Sequence, residues 1–350
     1  PGDCRGRLWK IGRMKKAVLV LIVGAFALPV FAEPSQPAPW TEAVVSVRDI
    51  AKSGQLLREI GQWRPVESGR LSRAELDYWR LPTGTSGSFQ LLCAPGVKTG
   101  CVRFVQFKGV EQRPIRLAAR AWDTGGIFSL MMRSDDVPRV FDRAIAMGWW
   151  AESEVYSFRF GASDLKNVVL TGPDGLNIAL YQRVSPPFTA FKVGTISQAF
   201  NTMRMVRDQP LAVAFYRDVL GFSTAFNSDF VDPQPTIGNF SIPTNFTTKI
   251  TRKAAAMSPA PSETGRVELM QFAGFEGRDF ATYARAPNLG ILSVRYPVAD
   301  LPAYRRAIEA KGAIIISGSD DVQIPGLGKT ALISVRDPDG NVTEFYQAKR

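Results

Sequence analysis

The sequence predicts an α+β fold built from four βαβββ modules in tandem. Three observations carry this reading. Apolar, strand-like runs alternate with short amphipathic helices, several strands to each helix. The same order of elements recurs in both halves. The matches between the halves also keep a nearly constant spacing. Gly172-Pro173-Asp174-Gly175 and Asp337-Pro338-Asp339-Gly340 stand 165 residues apart, as do Tyr181-Gln182 and Tyr346-Gln347. CVRFVQFKGV, starting at Cys101, precedes RVELMQFAGF, starting at Arg266, by the same 165 residues. Asp136, Pro138 and Gly148 precede Asp300, Pro302 and Gly312 by 164. A collinear set at one spacing marks a duplication.

Taken in order, residues 43–49 read as a strand and residues 50–60 as a helix stopped by Gly61. Residues 78–81, 89–93 and 101–107 read as further strands. Residues 126–132 open a second module, whose helix over residues 136–147 has Pro138 in its first turn and Gly148 as its cap. Its last strand covers residues 176–183. Ser185-Pro186-Pro187 marks residues 185–195 as a linker between domains at 41–184 and 196–350. In the second half, FYRDVLGF closes a helix over residues 212–222. Leu211, Phe215 and Val219 recur at helical spacing beside Ala212, Tyr216 and Leu220, Pro210 suits the first turn, and Gly221 suits a left-handed cap. Residues 221–263 hold a long insertion rich in Phe, Pro and Thr, which reads either as a lid or as a mobile surface loop. Trp63, Trp122, Trp149 and Trp150 read as core.

Composition is that of a globular protein, with 45% hydrophobic and 21% charged residues among 350. The net charge of +11 is concentrated in part near the N-terminus. There, Met14-Lys15-Lys16 leads into AVLVLIVGAFALPVFA, a basic start, an apolar run and a small-x-small ending. Residues 14–32 read as a signal peptide cleaved between Ala32 and Glu33, with residues 1–13 as a non-native leader and 33–40 as a spacer. The expected location is the bacterial periplasm, with no membrane attachment after cleavage. The remaining chain is mildly basic and has no dense Lys/Arg run, which argues against a nucleic-acid partner. Oligomeric state is not legible. Cys93 and Cys101 flank a turn-like APGVKTG, and read either as a disulfide across a hairpin or as two buried thiols.

FYRDVLGF after a strand ending Val206-Arg207-Asp208, VELMQF, and DPDGNVTEFYQ together resemble the vicinal oxygen chelate superfamily, which includes glyoxalase I, bleomycin-resistance proteins and extradiol dioxygenases. The resemblance covers residues 197–349 and, through the spacings above, residues 40–183. It implies modules paired into two domains with curled mixed sheets around clefts. It also implies a divalent metal held by histidines on first strands and glutamates on last strands. The chain has no histidine. Counting seven residues back from Asp208, the first-strand ligand position falls on Asn201, with its mate near Gly290 and its first-half counterpart at Glu42. Glu268 and Glu344 match the family's metal carboxylates, whereas the first-half columns carry Arg103 and Ala179.

These residues imply a C-terminal cleft holding Glu268, Glu344, Asn201, Met203, Met205 and Tyr346. The expected function is binding of a small organic molecule there without the usual metal site. The alternative is a lyase or isomerase in which Glu344 and Glu268 act as acid and base, or, with Asn201, weakly hold Mg²⁺, Mn²⁺ or Ca²⁺. A third reading has the clefts filled by the protein's own side chains. One detail is awkward: strand alternation that turns Asn201, Met203 and Met205 to the cleft turns Arg204 under a helix. Either the strand is bulged, or Phe200 or Thr202 takes the ligand position.

Overall fold

The computed structural model describes Gly2, residues 36–238 and residues 240–349. Apart from Gly2, the proposed leader lies outside the described residues, as do the signal peptide, its cleavage site and Asn239. The described residues build the four modules. The first contains β1 (Glu42–Ser46), α1 (Ile50–Ser53), α2 (Gln55–Glu59), β2 (Arg64–Arg70), α3 (Arg73–Tyr78), β3 (Ser86–Cys93) and β4 (Cys101–Lys108). The second contains β5 (Ser129–Arg133), α4 (Val137–Ala146), β6 (Trp150–Ala151), β7 (Tyr156–Phe160), β8 (Ser163–Thr171) and β9 (Asn177–Ser185). The third contains β10 (Ala199–Met205), α5 (Gln209–Ala214), β11 (Ser223–Phe230), β12 (Arg252–Ser258) and β13 (Arg266–Phe272). The fourth contains β14 (Gly290–Pro297), α6 (Leu301–Ala310), β15 (Ile314–Ile324), β16 (Gly328–Arg336) and β17 (Val342–Ala348).

The repeat is visible in the helix caps. Asp49, Asp136, Asp208 and Asp300 each accept a hydrogen bond from the backbone N–H three residues on. Seven residues before these caps stand Glu42, Ser129, Asn201 and Ser293, so the mate of Asn201 in the last module is Ser293, not Gly290.

The sheets do not coincide with the halves of the chain. One sheet runs β15-β16-β17-β14-β1-β4-β3-β2 and joins the first and fourth modules. The other runs β11-β12-β13-β10-β5-β9-β8-β6 and joins the second and third. The junctions are antiparallel, β1 against β14 and β5 against β10. The chain changes sheet through residues 109–128 and returns through residues 273–289. These connectors bridge each other at Pro114–Leu289 and Thr124–Asp279, and Asp123 takes Arg278 in an ion pair of 3.0 Å. The outer faces of both sheets and the helices share one core, which contains Trp40, Trp63, Tyr216, Tyr296 and Phe345. The inner faces carry separate clusters.

Several local expectations change. Residues 78–81 are not a strand: α3 ends at Tyr78, and its capping box, Ser72 with Glu75, is the S-x-x-E signature that marks a helix start. The first helix is divided at Gly54. The FYRDVLGF helix begins at Gln209 and passes into a π turn over Phe215–Val219. Its buried line is Ala212, Tyr216 and Leu220, while Leu211 is exposed. Gly221 does take a left-handed φ of 76°. Trp150 is exposed, unlike Trp63 and Trp149.

Arg204 does lie under the helix. It is buried and donates from Nη1 to Asp337 Oδ2 (3.4 Å), Thr343 Oγ1 (3.0 Å) and the Tyr216 hydroxyl, which donates to Asp337 Oδ2 (2.9 Å). Tyr216 of FYRD and Asp337 of DPDG therefore meet around Arg204, whose buried ion pair with Asp337 offsets its desolvation. The strand is also bulged, since β10 shifts register against β5 between Ala199 and Asn201.

Candidate functional site

The register of each sheet fixes what the inner faces hold. In parallel pairs, Val44 stands beside Arg103, Met131 beside Ala179, Met203 beside Glu268 and Arg295 beside Glu344. Arg103, Ala179, Glu268 and Glu344 are thus one column repeated in four modules. Because the sheets mix the halves, Arg103 and Glu344 share the first sheet, and Ala179 and Glu268 share the second. The single cleft predicted to contain both glutamates does not exist in this fold. Tyr346 also lies on the first sheet, with Tyr78, Leu332 and Ile324, away from Asn201, Met203 and Met205.

The inner face of the first sheet is occupied by a chain of charges. Glu42 Oε1 accepts from Arg103 Nε and Arg295 Nη1, both at 2.8 Å, and its Oε2 accepts from Arg103 Nη2 at 3.0 Å. Arg295 Nε donates to Glu344 Oε2 at 2.6 Å. All four side chains are buried. Burial alone would push the Glu42 carboxyl up, but Arg103 and Arg295 outweigh it and hold it below the ordinary glutamate range. Helix α3 closes this face. Leu76 packs with Phe89 and Leu292, and the Tyr78 hydroxyl meets Ser334 Oγ at 2.5 Å. Glu42 and Glu344 are already neutralised by two guanidiniums, and the Glu75 carboxyl of α3 is pushed up by burial. A cation placed among them would face both arginines, so the donor set does not fit a metal.

The inner face of the second sheet is different. Met131, Phe200, Met203, Met205, Met270 and Phe272 form an apolar floor with Ala179 and Ala254. Glu268 rises from it half-buried. Asn201 Nδ2 donates weakly to Glu268 Oε2 at 3.4 Å, and among the described residues Glu268 forms no ion pair. Burial without a cationic neighbour pushes its carboxyl up to about 7. The nearby phenols of Tyr156 and Tyr181 are pushed up as well, mainly by burial and further by the Glu268 charge. The inner column offers Glu268, Asn201 and Ser129, one carboxylate and two neutral oxygens. Its surroundings favour the protonated acid, the reverse of what a cation requires. Among the described residues no group of three His, Cys, Asp or Glu side chains is placed to hold a metal.

The insertion lies over this second face. β11 and β12 account for its ends, and the intervening loop carries Phe240, Ile242 and Ile250 into the apolar cluster. Phe240 packs edge-on against Phe272 at 5.3 Å and is tilted against Phe128 at 6.2 Å. The linker contributes too, because Phe191 packs on the same cluster with Phe188 beside it at 4.7 Å. Sequence reasoning missed Phe188, Tyr156 and Tyr181. The signal available was strand alternation: Tyr181 is two residues from Ala179, the column partner of Glu268.

Residues 198–345 match the model of the Glyoxalase/Bleomycin resistance protein/Dioxygenase superfamily. Over that span the chain belongs to the vicinal oxygen chelate superfamily. Among solved structures, glyoxalase I from Zea mays superposes with a TM-score of 0.58 at 16% identity, covering 89% of this chain and 92% of that one. A putative dioxygenase from Bacillus subtilis gives 0.54 at 11% identity, covering 90% and 87%. At such identities the likeness is one of fold, and it extends across all four modules. No curated protein matches the sequence. In the strand at residues 89–93, Cys93 is bonded to Cys101 across the β3–β4 hairpin, with Cα atoms 4.5 Å apart. That is the spacing of a directly opposed, non-hydrogen-bonded pair. Among the described residues no helix is long and apolar enough to cross a membrane.

Proposed function

We propose that this vicinal oxygen chelate protein binds a small organic molecule on the inner face of its second sheet, against Asn201, Met203, Met205 and Glu268, without a metal ion. The observation that carries this reading is Glu268: a carboxyl with no cation partner among the described residues, set on a floor of methionine and phenylalanine beneath an aromatic-bearing loop. Adaptable thioethers and aromatic walls with one placed polar group are what a small-molecule site requires. The first sheet supports the same choice by contrast, since its equivalent positions are taken up by paired charges and by α3.

A second reading rests on the same carboxyl. A glutamate poised near neutrality is suited to general acid–base work, so a lyase or isomerase step through Glu268 alone is the alternative. Glu344 has no part in either reading. We further infer that the protein is exported. The leader motif and the Cys93–Cys101 bond favour that, and thiol labelling of unfolded, non-reduced protein would find both cysteines blocked.

Native mass spectrometry of the protein purified from its own host tests the binding reading. A copurified organic ligand, absent from Glu268→Leu protein of unchanged thermal midpoint, is the expected result. A stoichiometric transition metal would overturn it. Loss of turnover in Glu268→Gln with ligand binding retained would select the catalytic reading.

A further inference from the structure

We propose that Arg133, Arg183 and Arg266 form an anion subsite at one end of this inner face, taking the oxyanion of an organic ligand whose apolar body runs toward Glu268. The proposal deepens the binding reading above and rests on it.

Strand alternation places the three side chains together. Arg133 is two residues beyond Met131 on β5, Arg183 two beyond Tyr181 on β9, and Arg266 two before Glu268 on β13, so all three face inward. The register puts them at the same end. Arg266 pairs with Asn201, Asn201 with Met131 on its other side, and Arg133 with Tyr181. Phe188 ties two of them: its ring lies 4.0 Å from the Arg133 guanidinium and 5.4 Å from that of Arg183, and Phe200 covers Arg133 at 4.5 Å. Such stacking holds a guanidinium plane while leaving its N–H edge free for a ligand.

Their countercharge is incomplete. Glu263 accepts from Arg266 at 3.1 and 3.4 Å and stands 3.8 Å from Arg133 Nη2. Among the described residues no carboxylate pairs with Arg183. The Nε of Arg133, of Arg183 and of Arg266 is buried without a hydrogen-bond partner, and Arg133 is only 9% exposed. Burial brings the Arg133 guanidinium down to about 10; Glu263 opposes this, and Arg183 and Arg266 add to it. Three guanidiniums facing one carboxylate, with donors unmet, is an arrangement that an incoming carboxylate, phosphate or sulfonate completes through charge-assisted bonds. The first sheet shows the balanced alternative, in which Arg103 and Arg295 are matched by Glu42 and Glu344.

A matched pair of fluorescent probes tests the subsite. 8-Anilinonaphthalene-1-sulfonate and N-phenyl-1-naphthylamine share an apolar body and differ in the sulfonate. The expected result is that the sulfonate probe binds the full chain at least about tenfold more tightly, with an affinity that falls as salt rises. Arg183→Gln, at the position with no carboxylate partner among the described residues, removes about that factor for the sulfonate probe and leaves the neutral one unchanged. Arg133→Lys, which keeps the charge but not the fork, gives an intermediate loss. Thermal midpoints confirm that both variants fold. Equal affinity for the two probes, or a sulfonate affinity indifferent to both variants, overturns the anion subsite while leaving the binding reading intact. Failure of both probes to bind removes the binding reading and the subsite with it.

Discussion

Glu268 and Glu344 occupy the same position in the last strands of successive modules, yet they face different clefts. Glu268 stands beside Met203, and Glu344 beside Arg295. One carboxylate is exposed to an apolar floor, and the other is locked to a guanidinium at 2.6 Å. The mixing of halves between sheets produces this division, and it leaves one column of the family in two environments, the face proposed as the ligand site and a charged strut.

The strut should be readable in stability. Glu344→Gln leaves Arg295 buried beside an amide, and Glu42→Gln does so for both arginines. Removing one member of a buried ion pair typically costs about 3–5 kcal/mol. Urea unfolding should show losses of that order for both variants. Probe binding to the folded protein should be unaffected, because the second sheet is not touched.

Glu268 and Glu42, whose carboxyls are displaced in opposite directions, should respond to pH with opposite sign. Glu268 is raised to about 7 when folded, so the folded state holds a proton that the unfolded chain releases near 4.5. Its contribution therefore favours folding at low pH and is lost as pH rises through about 7. Glu268→Gln should stabilise the protein at pH 8 by about 1–3 kcal/mol, less than the full shift implies because the side chain is partly solvated, and should do little at pH 4. Glu42 is lowered, so its contribution is present above the unfolded value and fades on acidification below it. Urea midpoints of wild type and variants across pH 3–9 would separate the two.

The bond between Arg204 and Asp337 joins β10 of the third module to the turn of the fourth. Asp337→Asn should cost about 3 kcal/mol or more, since it strands a buried guanidinium. In a double-mutant cycle with Arg204→Met, the doubly substituted protein should be more stable than the sum of the singles predicts. Strict additivity would show that the two do not act as a pair.

Phe240 anchors the loop over the second sheet. Phe240→Ala should lose about 3–5 kcal/mol of local packing, the range for a buried phenylalanine. The expected readout is faster proteolytic nicking between residues 231 and 251, together with weaker binding of N-phenyl-1-naphthylamine. Unchanged proteolysis would mean that the loop is held by other contacts.

Much of the architecture was legible because local rules repeat. The four aspartate caps, the turn motifs and the spacing of the halves are each short-range signals, and they located the modules. Pairing was not legible. Whether β5 meets β10 or β1 is decided by connectors far apart in sequence, where Thr124 bridges Asp279 and Asp123 holds Arg278. The candidate site divides for this reason: Asn201, Met203, Met205 and Glu268 lie on one sheet, while Glu344 and Tyr346 lie on the other. The Arg204 problem was visible as a conflict between strand alternation and burial. Its resolution needed Asp337, 133 residues away. The strand expected over residues 78–81 meets α3 only at Tyr78; the helix itself is signalled by Ser72 and Glu75, three residues apart.

The central claim is that the inner face of the second sheet takes the ligand. Methyl-labelled methionine NMR tests it most directly, because Met131, Met203, Met205 and Met270 line that face while Met132 and Met257 lie in the shared core. On addition of N-phenyl-1-naphthylamine, the first four resonances should move in a saturable way and the last two should stay in place. Saturable binding that leaves the first four unmoved would contradict the account.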